Sequence, residues 1–314
     1  MFQTIEKEIE KYSRIIIHRH MQPDGDAIGS QVGLKHLIGD NFPGKQVYTV
    51  GDPAGRYAFM DDSTMDEIPD SYYEGSLVFV LDLSSPHLIS DNRYQLGDKT
   101  IRMDHHISGP DPFCDLELAD TGYESACGLV AHMASELGWK ISPVAARSLF
   151  TGMVTDSGRF RYDCTSPRTL QLAAMLLEKE IDTNEIYRNL YESDLEEVQL
   201  RCRFIDRIQQ TPHHVAYLYN GLSLVNSLPM DIFGISRGMV SVMNDLKGID
   251  IWVNFTETPE GSVLCELRSS RYNINPIAVK YGGGGHAKAS GATLHSREEA
   301  MAMLRDLDAM MIGE

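Results

Sequence analysis

The 314-residue sequence is short of positive charge, with 28 Lys and Arg against 45 Asp and Glu and a net charge of −17. Proteins that hold long duplex nucleic acid neutralise many backbone phosphates with cations. The deficit therefore argues against a generic duplex-binding surface, and any anionic ligand has to be met locally, by metal ions or a few placed cations. Long apolar runs are also missing. No stretch approaches the roughly 18 apolar residues that a membrane helix needs, and Met1 to Lys11 has the pattern of a charged amphipathic helix, not of a secretory leader. Cysteine is scarce: Cys114, Cys127, Cys164, Cys202 and Cys265 are odd in number, scattered, and contain no C-x-x-C pair. That spacing does not point to zinc or redox chemistry and fits reduced thiols in a soluble, cytoplasmic protein. Neither an internal repeat nor a low-complexity segment is evident.

What is present is an alternation. Apolar strand-like runs at Ile15-Ile16-Ile17, 46–50, 77–81 and 100–103 alternate with helical periodicity, first at 27–38, and predict a mostly parallel sheet flanked by helices. Helical patterns follow at about 124–137, 143–154 and 167–179, then a long charged one at about 183–210 that reads as a connecting helix. After Thr211-Pro212 the pattern restarts with a strand at 215–219, a helix near 231–246, strands at 249–256 and 262–268, a short helix near 274–280, a glycine run and a last helix from Ser296. The fold class expected is α/β in two domains: residues 1–188, a helical linker 189–211, and a smaller α/β domain 212–314.

Three strand ends carry acids and imidazoles. His20, Asp24 and Asp26 follow the first strand, with Pro23 and Gly25 allowing a tight turn. Asp82 ends the run Leu77-Val78-Phe79-Val80-Leu81, and Asp104-His105-His106 ends the run from Thr100. Ligands in open α/β sheets bind at the carboxyl ends of strands. The plain alternative for the first group is an N-cap and turn, but three such clusters have no simple packing explanation. Asp156, in Thr155-Asp156-Ser157-Gly158-Arg159-Phe160, adds one more acid. Such a set exceeds what one catalytic ion with open positions uses and suits two ions about 3.5–4 Å apart, bridged by a carboxylate and a water that serves as nucleophile. With no cysteine among the ligands, Mn²⁺ is preferred to structural zinc.

The last cluster joins Arg268 to Tyr281-Gly282-Gly283-Gly284-Gly285-His286-Ala287-Lys288. Consecutive glycines expose backbone N–H groups that can cradle an anion, and Arg268, His286 and Lys288 add positive charge. A bare glycine run is otherwise simply a loop.

Together, H-x-x-P-D-G-D-A-x-G-S at 20–30, Asp82, Asp104-His105-His106, T-D-S-G-R-F at 155–160 and G-G-G-G-H at 282–286 resemble, in order and over essentially the whole chain, the DHH phosphoesterases that carry a C-terminal DHHA1 domain. The likeness is to the branch of nanoRNases and pAp phosphatases, which is similar in chemistry to pApA and cyclic di-AMP phosphodiesterases. The resemblance implies a DHH domain and a DHHA1 domain with a catalytic cleft between them. It implies that His20, Asp24 and Asp82 hold one manganese while Asp26, Asp82, His105 and Asp156 hold the other. Asp104 is then expected to orient a ligand imidazole, and His106 to face the scissile phosphate. Arg268 and Gly283, Gly284, Gly285 and His286 would bind substrate, with Arg159 and Arg161 also within reach. One departure is Asp120–Cys127, where the family has a run richer in Ser and Thr. The expected partners are short oligoribonucleotides or mono- and dinucleotide phosphates, with no long duplex and no membrane; a homodimer is left open. Competing expectations are a pApA or cyclic di-AMP phosphodiesterase acting in signalling, and an inactive nucleotide-binding module, which would lack metal ligands.

Overall fold

The computed structural model describes residues 1–107, 109 and 111–312. The chain divides into two compact units, Met1–Glu192 and Ser193–Glu314.

In the first unit the order is α1 (Phe2–Lys11), β1 (Arg14–His18), α2 (Gly25–Asn41), β2 (Gln46–Thr49), β3 (Ser76–Leu81), β4 (Lys99–Asp104), β5 (Leu116–Ala119), α3 (Ala126–Glu136), α4 (Pro143–Asp156), α5 (Pro167–Leu177) and α6 (Thr183–Tyr191). The five strands are all parallel, in the order β2-β1-β3-β4-β5. Side chains alternate between the faces of a strand, and both faces here are covered. Ile15, Ile17, Leu77, Phe79, Leu81, Ile101 and Met103 pack against the helices. Ile16, Val78 and Val80 pack against Ile68, Tyr73, Ile89 and Tyr94 from the connecting segments. Continuous apolar strands are what a sheet buried on both sides requires. Since the chain leaves β1 for β2 on one side and returns to β3 on the other, the sheet reverses direction between β1 and β3, the place where open α/β sheets form ligand sites.

The second unit contains α7 (Leu195–Ile205), β6 (Gln209–Gln210), β7 (Val215–Asn220), α8 (Leu222–Val225), β8 (Ile251–Glu257), β9 (Val263–Ser269), α9 (Asn275–Lys280), β10 (Gly284–His286), β11 (Ala289–Leu294) and α10 (Arg297–Met310). Its six-stranded sheet runs β10-β11-β9-β8-β7-β6. Val253, Phe255, Cys265 and Leu267 pack against Ala300, Met303 and Leu307 of α10.

Several elements differ in detail from the sequence pattern. The charged segment 183–210 is not one helix: α6 stops at Tyr191, and Asp194 caps a new helix by accepting from the Glu197 N–H at 2.8 Å. The helix expected near 231–246 is present over 232–243 but irregular, wound wide at Gly234–Gly238 and tight at Val240–Met243, because two glycines weaken its propensity for a regular α-helix. β5 carried too weak an apolar pattern to be anticipated. The glycine run is not an open loop: Gly284–His286 pairs antiparallel with Ala289–Gly291.

Candidate metal centre

The turn after β1 folds as its residues dictate. Asp24 caps α2, its Oδ1 accepting from the N–H groups of Asp26 and Ala27 at 3.0 Å each. The N-cap alternative is thus correct, and compatible with a second role, because the same carboxylate lies 3.8 Å from His20 Nε2. Asp26, one residue into the helix, is fully buried, and the first backbone amides of α3 hold its carboxylate: Ala126 N–H at 2.6 Å and Cys127 N–H at 2.8 Å. A helix N-terminus favours negative charge, so the start of α3 offsets part of the cost of burying this carboxylate. The approach is close because residue 152 is glycine; a Cβ there would lie 2.2 Å from Cys127 Sγ and 3.1 Å from Asp26 Oδ1.

Asp82 follows β3 with a left-handed backbone, φ 58°. Its two oxygens face opposite ways: Oδ2 lies 3.4 Å from His20 Nε2, and Oδ1 lies 3.4 Å from His105 Nε2. His105 Nε2 also lies 3.2 Å from Asp156 Oδ2, at the end of α4, and 3.8 Å from Asp26 Oδ2. Three overlapping groups have their ligand atoms within 4.8 Å of one another: His20-Asp24-Asp82 on one side, Asp26-His105-Asp156 on the other, and Asp82-His105-His106, in which His106 Nδ1 lies 3.6 Å from Asp82 Oδ1. All six expected ligand residues come together. Asp82 Oδ1 and His105 Nε2 are buried and make no hydrogen bond. Buried lone pairs without donors are costly, and a divalent cation satisfies both, so the donor set fits a metal of the harder to intermediate kind.

Without a cation the cluster holds protons. Burial and the charge of Asp82 push the Asp26 carboxyl up to about 7. Burial, then Asp26 and Asp82, likewise raise Asp156 well above the carboxylate range. Burial alone would lower the two imidazoles, but the nearby carboxylates of Asp24 and Asp82 hold His20 up to about 11, and those of Asp82, Asp26 and Asp156 hold His105 up to about 10. Burial would raise Asp82, but the positively charged imidazoles of His105 and His20, each 3.4 Å away, outweigh it and depress the group.

Asp104 is expected to orient a ligand imidazole, and the ring it reaches is that of His106. Its Oδ1 accepts from the His105 backbone N–H at 2.9 Å and lies 2.8 Å from Nδ1 of His106. It therefore orients the His106 ring rather than the ring of the candidate ligand His105. Sequence reasoning also missed the amides of Ala126 and Cys127, legible only as a helix start behind Ser125, and Arg102, a charged residue inside an apolar strand.

Arg159 stacks over Tyr191 with its guanidinium 4.5 Å from the ring centre. In the second unit, the pairing register puts Arg268, Ala289 and His286 in one row across β9, β11 and β10. Arg268 is not a lone cation: its Nη1 is 3.1 Å from Glu266 Oε2, and Arg237, which the sequence did not single out, lies 3.2 Å from the other oxygen.

Fold and site define an α/β protein with a carboxylate–imidazole centre able to bind divalent metal at the switch point of a parallel sheet. The family is fixed by comparison. Residues 14–153 match the DHH family N-terminal domain and residues 232–312 the DHHA1 domain, and the chain belongs to the DHH family of phosphoesterases with a DHHA1 domain. It is 33% identical to the Bacillus subtilis bifunctional oligoribonuclease and PAP phosphatase NrnA over 97% of this chain and 96% of that one. It is also 33% identical to the probable protein of the same name from Streptococcus mutans, over 99% of each. The crystal structure of an exopolyphosphatase-related protein from Bacteroides fragilis superimposes with a TM-score of 0.87 at 25% identity, covering 98% of this chain and 95% of that one. No helix among the described residues is long and apolar enough to cross a membrane.

Proposed function

We propose that this chain is a two-metal phosphoesterase that hydrolyses short oligoribonucleotides and 3′-phosphoadenosine 5′-phosphate, with manganese as its metal. The observation that carries the reading is Asp82, buried between the two groups with one oxygen toward His20 and the other toward His105. His20, Asp24 and Asp82 would hold one ion; Asp26, Asp82, His105 and Asp156 the other. Bound there, such ions would supply charge neutralisation at a phosphoryl group and a more acidic water. The protein's own part is to fix donors and protons. The amides of Ala126 and Cys127 orient the Asp26 carboxylate, and Asp104 fixes the His106 ring through Nδ1, so that as an imidazolium the ring donates from Nε2 to a phosphate oxygen and stabilises charge developing there. Arg268, Gly283, Gly284, Gly285 and His286 bind a second phosphate or nucleotide of the substrate. The relatives named for oligoribonuclease and PAP phosphatase activity support this substrate class.

The test is a panel. Metal-stripped protein is resupplied with Mn²⁺, Mg²⁺ or Zn²⁺ and assayed on 3′-phosphoadenosine 5′-phosphate, pApA, an RNA dinucleotide and cyclic di-AMP. Highest kcat/KM with Mn²⁺ on the dinucleotide and the 3′-phosphate bears the reading out. Preference for cyclic di-AMP moves the protein to nucleotide signalling, and binding without turnover on any substrate makes it a nucleotide-binding module.

A further inference from the structure

We propose that Arg102 is a positioning residue of this centre, which clamps the Asp104 carboxylate against His106 and ties it to the strand-end turn at Asp82. Only the role of His106 at phosphate rests on the phosphoesterase reading; the clamp itself rests on geometry. Arg102 lies in β4 between Ile101 and Met103, which face the helical core, so alternation puts it on the opposite face, the face of Asp104 two residues on. It is 1% exposed. Its Nε donates to Leu83 O at 2.9 Å, Nη1 to Glu117 Oε2 at 2.9 Å, and Nη2 to Asp104 Oδ2. Phe113 closes the remaining side, with the guanidinium carbon 5.1 Å from its ring centre.

Three directions of bonding from one rigid plane define what the residue does. Leu83 follows Asp82, so the Nε bond holds the turn that keeps Asp82 left-handed. The Nη2 bond occupies Asp104 Oδ2 and leaves Oδ1 for His106 Nδ1 and the His105 amide. An ionised carboxylate accepts hydrogen bonds and donates none. Nδ1 of His106 must therefore carry the proton, and Nε2 is the ring nitrogen directed away from Asp104. Glu117 braces the arrangement from the neighbouring strand, and its Oε1 accepts from Phe113 N–H at 2.7 Å and Cys114 N–H at 3.1 Å. A lysine supplies a point charge without the fork and cannot bond all three partners along these directions.

The experiment compares wild type with Arg102→Lys, which keeps the buried charge. Measured are metal content, KM and kcat on an RNA dinucleotide, and the ¹⁵N-edited signal of the His106 Nδ1–H. Expected for Arg102→Lys are full metal content, KM within about 2-fold, kcat lower by about 10–100-fold, the usual effect of losing a partner behind a site residue, and loss of the Nδ1–H signal. A folded variant that keeps both kcat and the signal overturns the proposal. Where Arg102→Lys does not fold, the wild-type spectrum still decides, because a His106 protonated only at Nε2 contradicts the clamp. Loss of the signal in Arg102→Lys of a protein without phosphoesterase activity sustains the clamp and removes the phosphoesterase reading instead.

Discussion

Asp82 occupies backbone space that costs a non-glycine residue about 1–3 kcal/mol unless its surroundings enforce it. Here the enforcement is visible: its N–H donates to Met103 O at 3.1 Å, and Arg102 holds the next carbonyl. Asparagine accepts the left-handed region as readily as aspartate, so Asp82→Asn separates backbone from charge. The variant should fold with an unchanged far-ultraviolet spectrum yet bind metal at least about 100-fold more weakly, since loss of a mere outer partner already costs about 10–100-fold. Turnover at limiting Mn²⁺ should fall in step. Retention of metal and of activity in the folded variant would remove Asp82 from the bridge. Arg268 calls for a different readout. Charge-assisted bonds contribute about 1.5–3 kcal/mol, so Arg268→Ala should raise KM for a dinucleotide by roughly one to two decades while metal content holds. The released Glu266 then faces Arg237 alone, and a fall in metal content instead would show that Arg268 does not act through substrate.

Strand ends and helix starts are the elements that bring the acids together: β1 with α2, β3, β4, the start of α3 and the end of α4. Their crowding has a consequence for stability in the absence of metal. Asp26 is raised to about 7 from 3.8, so the stability it contributes is fully present below about pH 4 and is lost as pH rises through 7. His20 and His105 are raised to about 11 and about 10 from 6.5, so theirs is present below 6.5 and lost on the way to 10–11. Both terms act in one direction. The melting temperature of chelator-treated protein should fall steadily from about pH 5 to pH 9, and the gain on adding Mn²⁺ should widen over that range as cations replace protons. A metal-induced gain that shrinks with rising pH would contradict this account of the cluster.

The same elements explain what the sequence made legible. β1 and β3 stood out because burial on both faces leaves unbroken apolar runs such as Leu77–Leu81, and shorter apolar pairs marked β2 and β4; the ends of β1, β3 and β4 exposed His20, Asp82 and Asp104 by position alone. β5 did not stand out, since Leu-Glu-Leu-Ala at 116–119 is an edge strand only partly covered. The plain-loop alternative for the glycine run fails for a physical reason: Gly285, at φ 131°, sits where a Cβ would meet Ala289 O at 2.6 Å, so pairing with β11, not flexibility, requires glycine there. Gly284 meets nothing within 4 Å and has an ordinary φ, so packing gives it no reason to be glycine and leaves close approach of a ligand as one. Arg102 was invisible because the sequence does not tell which strand residues turn toward a site and which toward a core.

At the scale of the whole molecule, the charge of −17 bears on the length of the proposed substrate. Each added nucleotide brings one more phosphate, and proteins that process long single strands meet those phosphates with a continuous basic groove and stacking aromatics. Here the cations tied to the proposed chemistry are few. Two metal ions would address the scissile phosphate, and Arg268 with Arg237 beside it shares the single carboxylate of Glu266. Beyond them the surface repels more backbone than it attracts. Cleavage should therefore peak at about two to four nucleotides, the reach of so few contacts, and its salt dependence should be shallow, since a single strand contributes a slope of about −0.7 per phosphate neutralised. With only one or two phosphates met by side chains, a plot of log kcat/KM against log salt should have a slope near −1. End-labelled RNA from 2-mers to 24-mers, assayed at several salt concentrations with Mn²⁺ held constant, decides it. A 24-mer cleaved as efficiently as a dimer, with a slope several-fold steeper, would mean that a basic track outside these residues grips the strand, and the protein would then be a processive exonuclease.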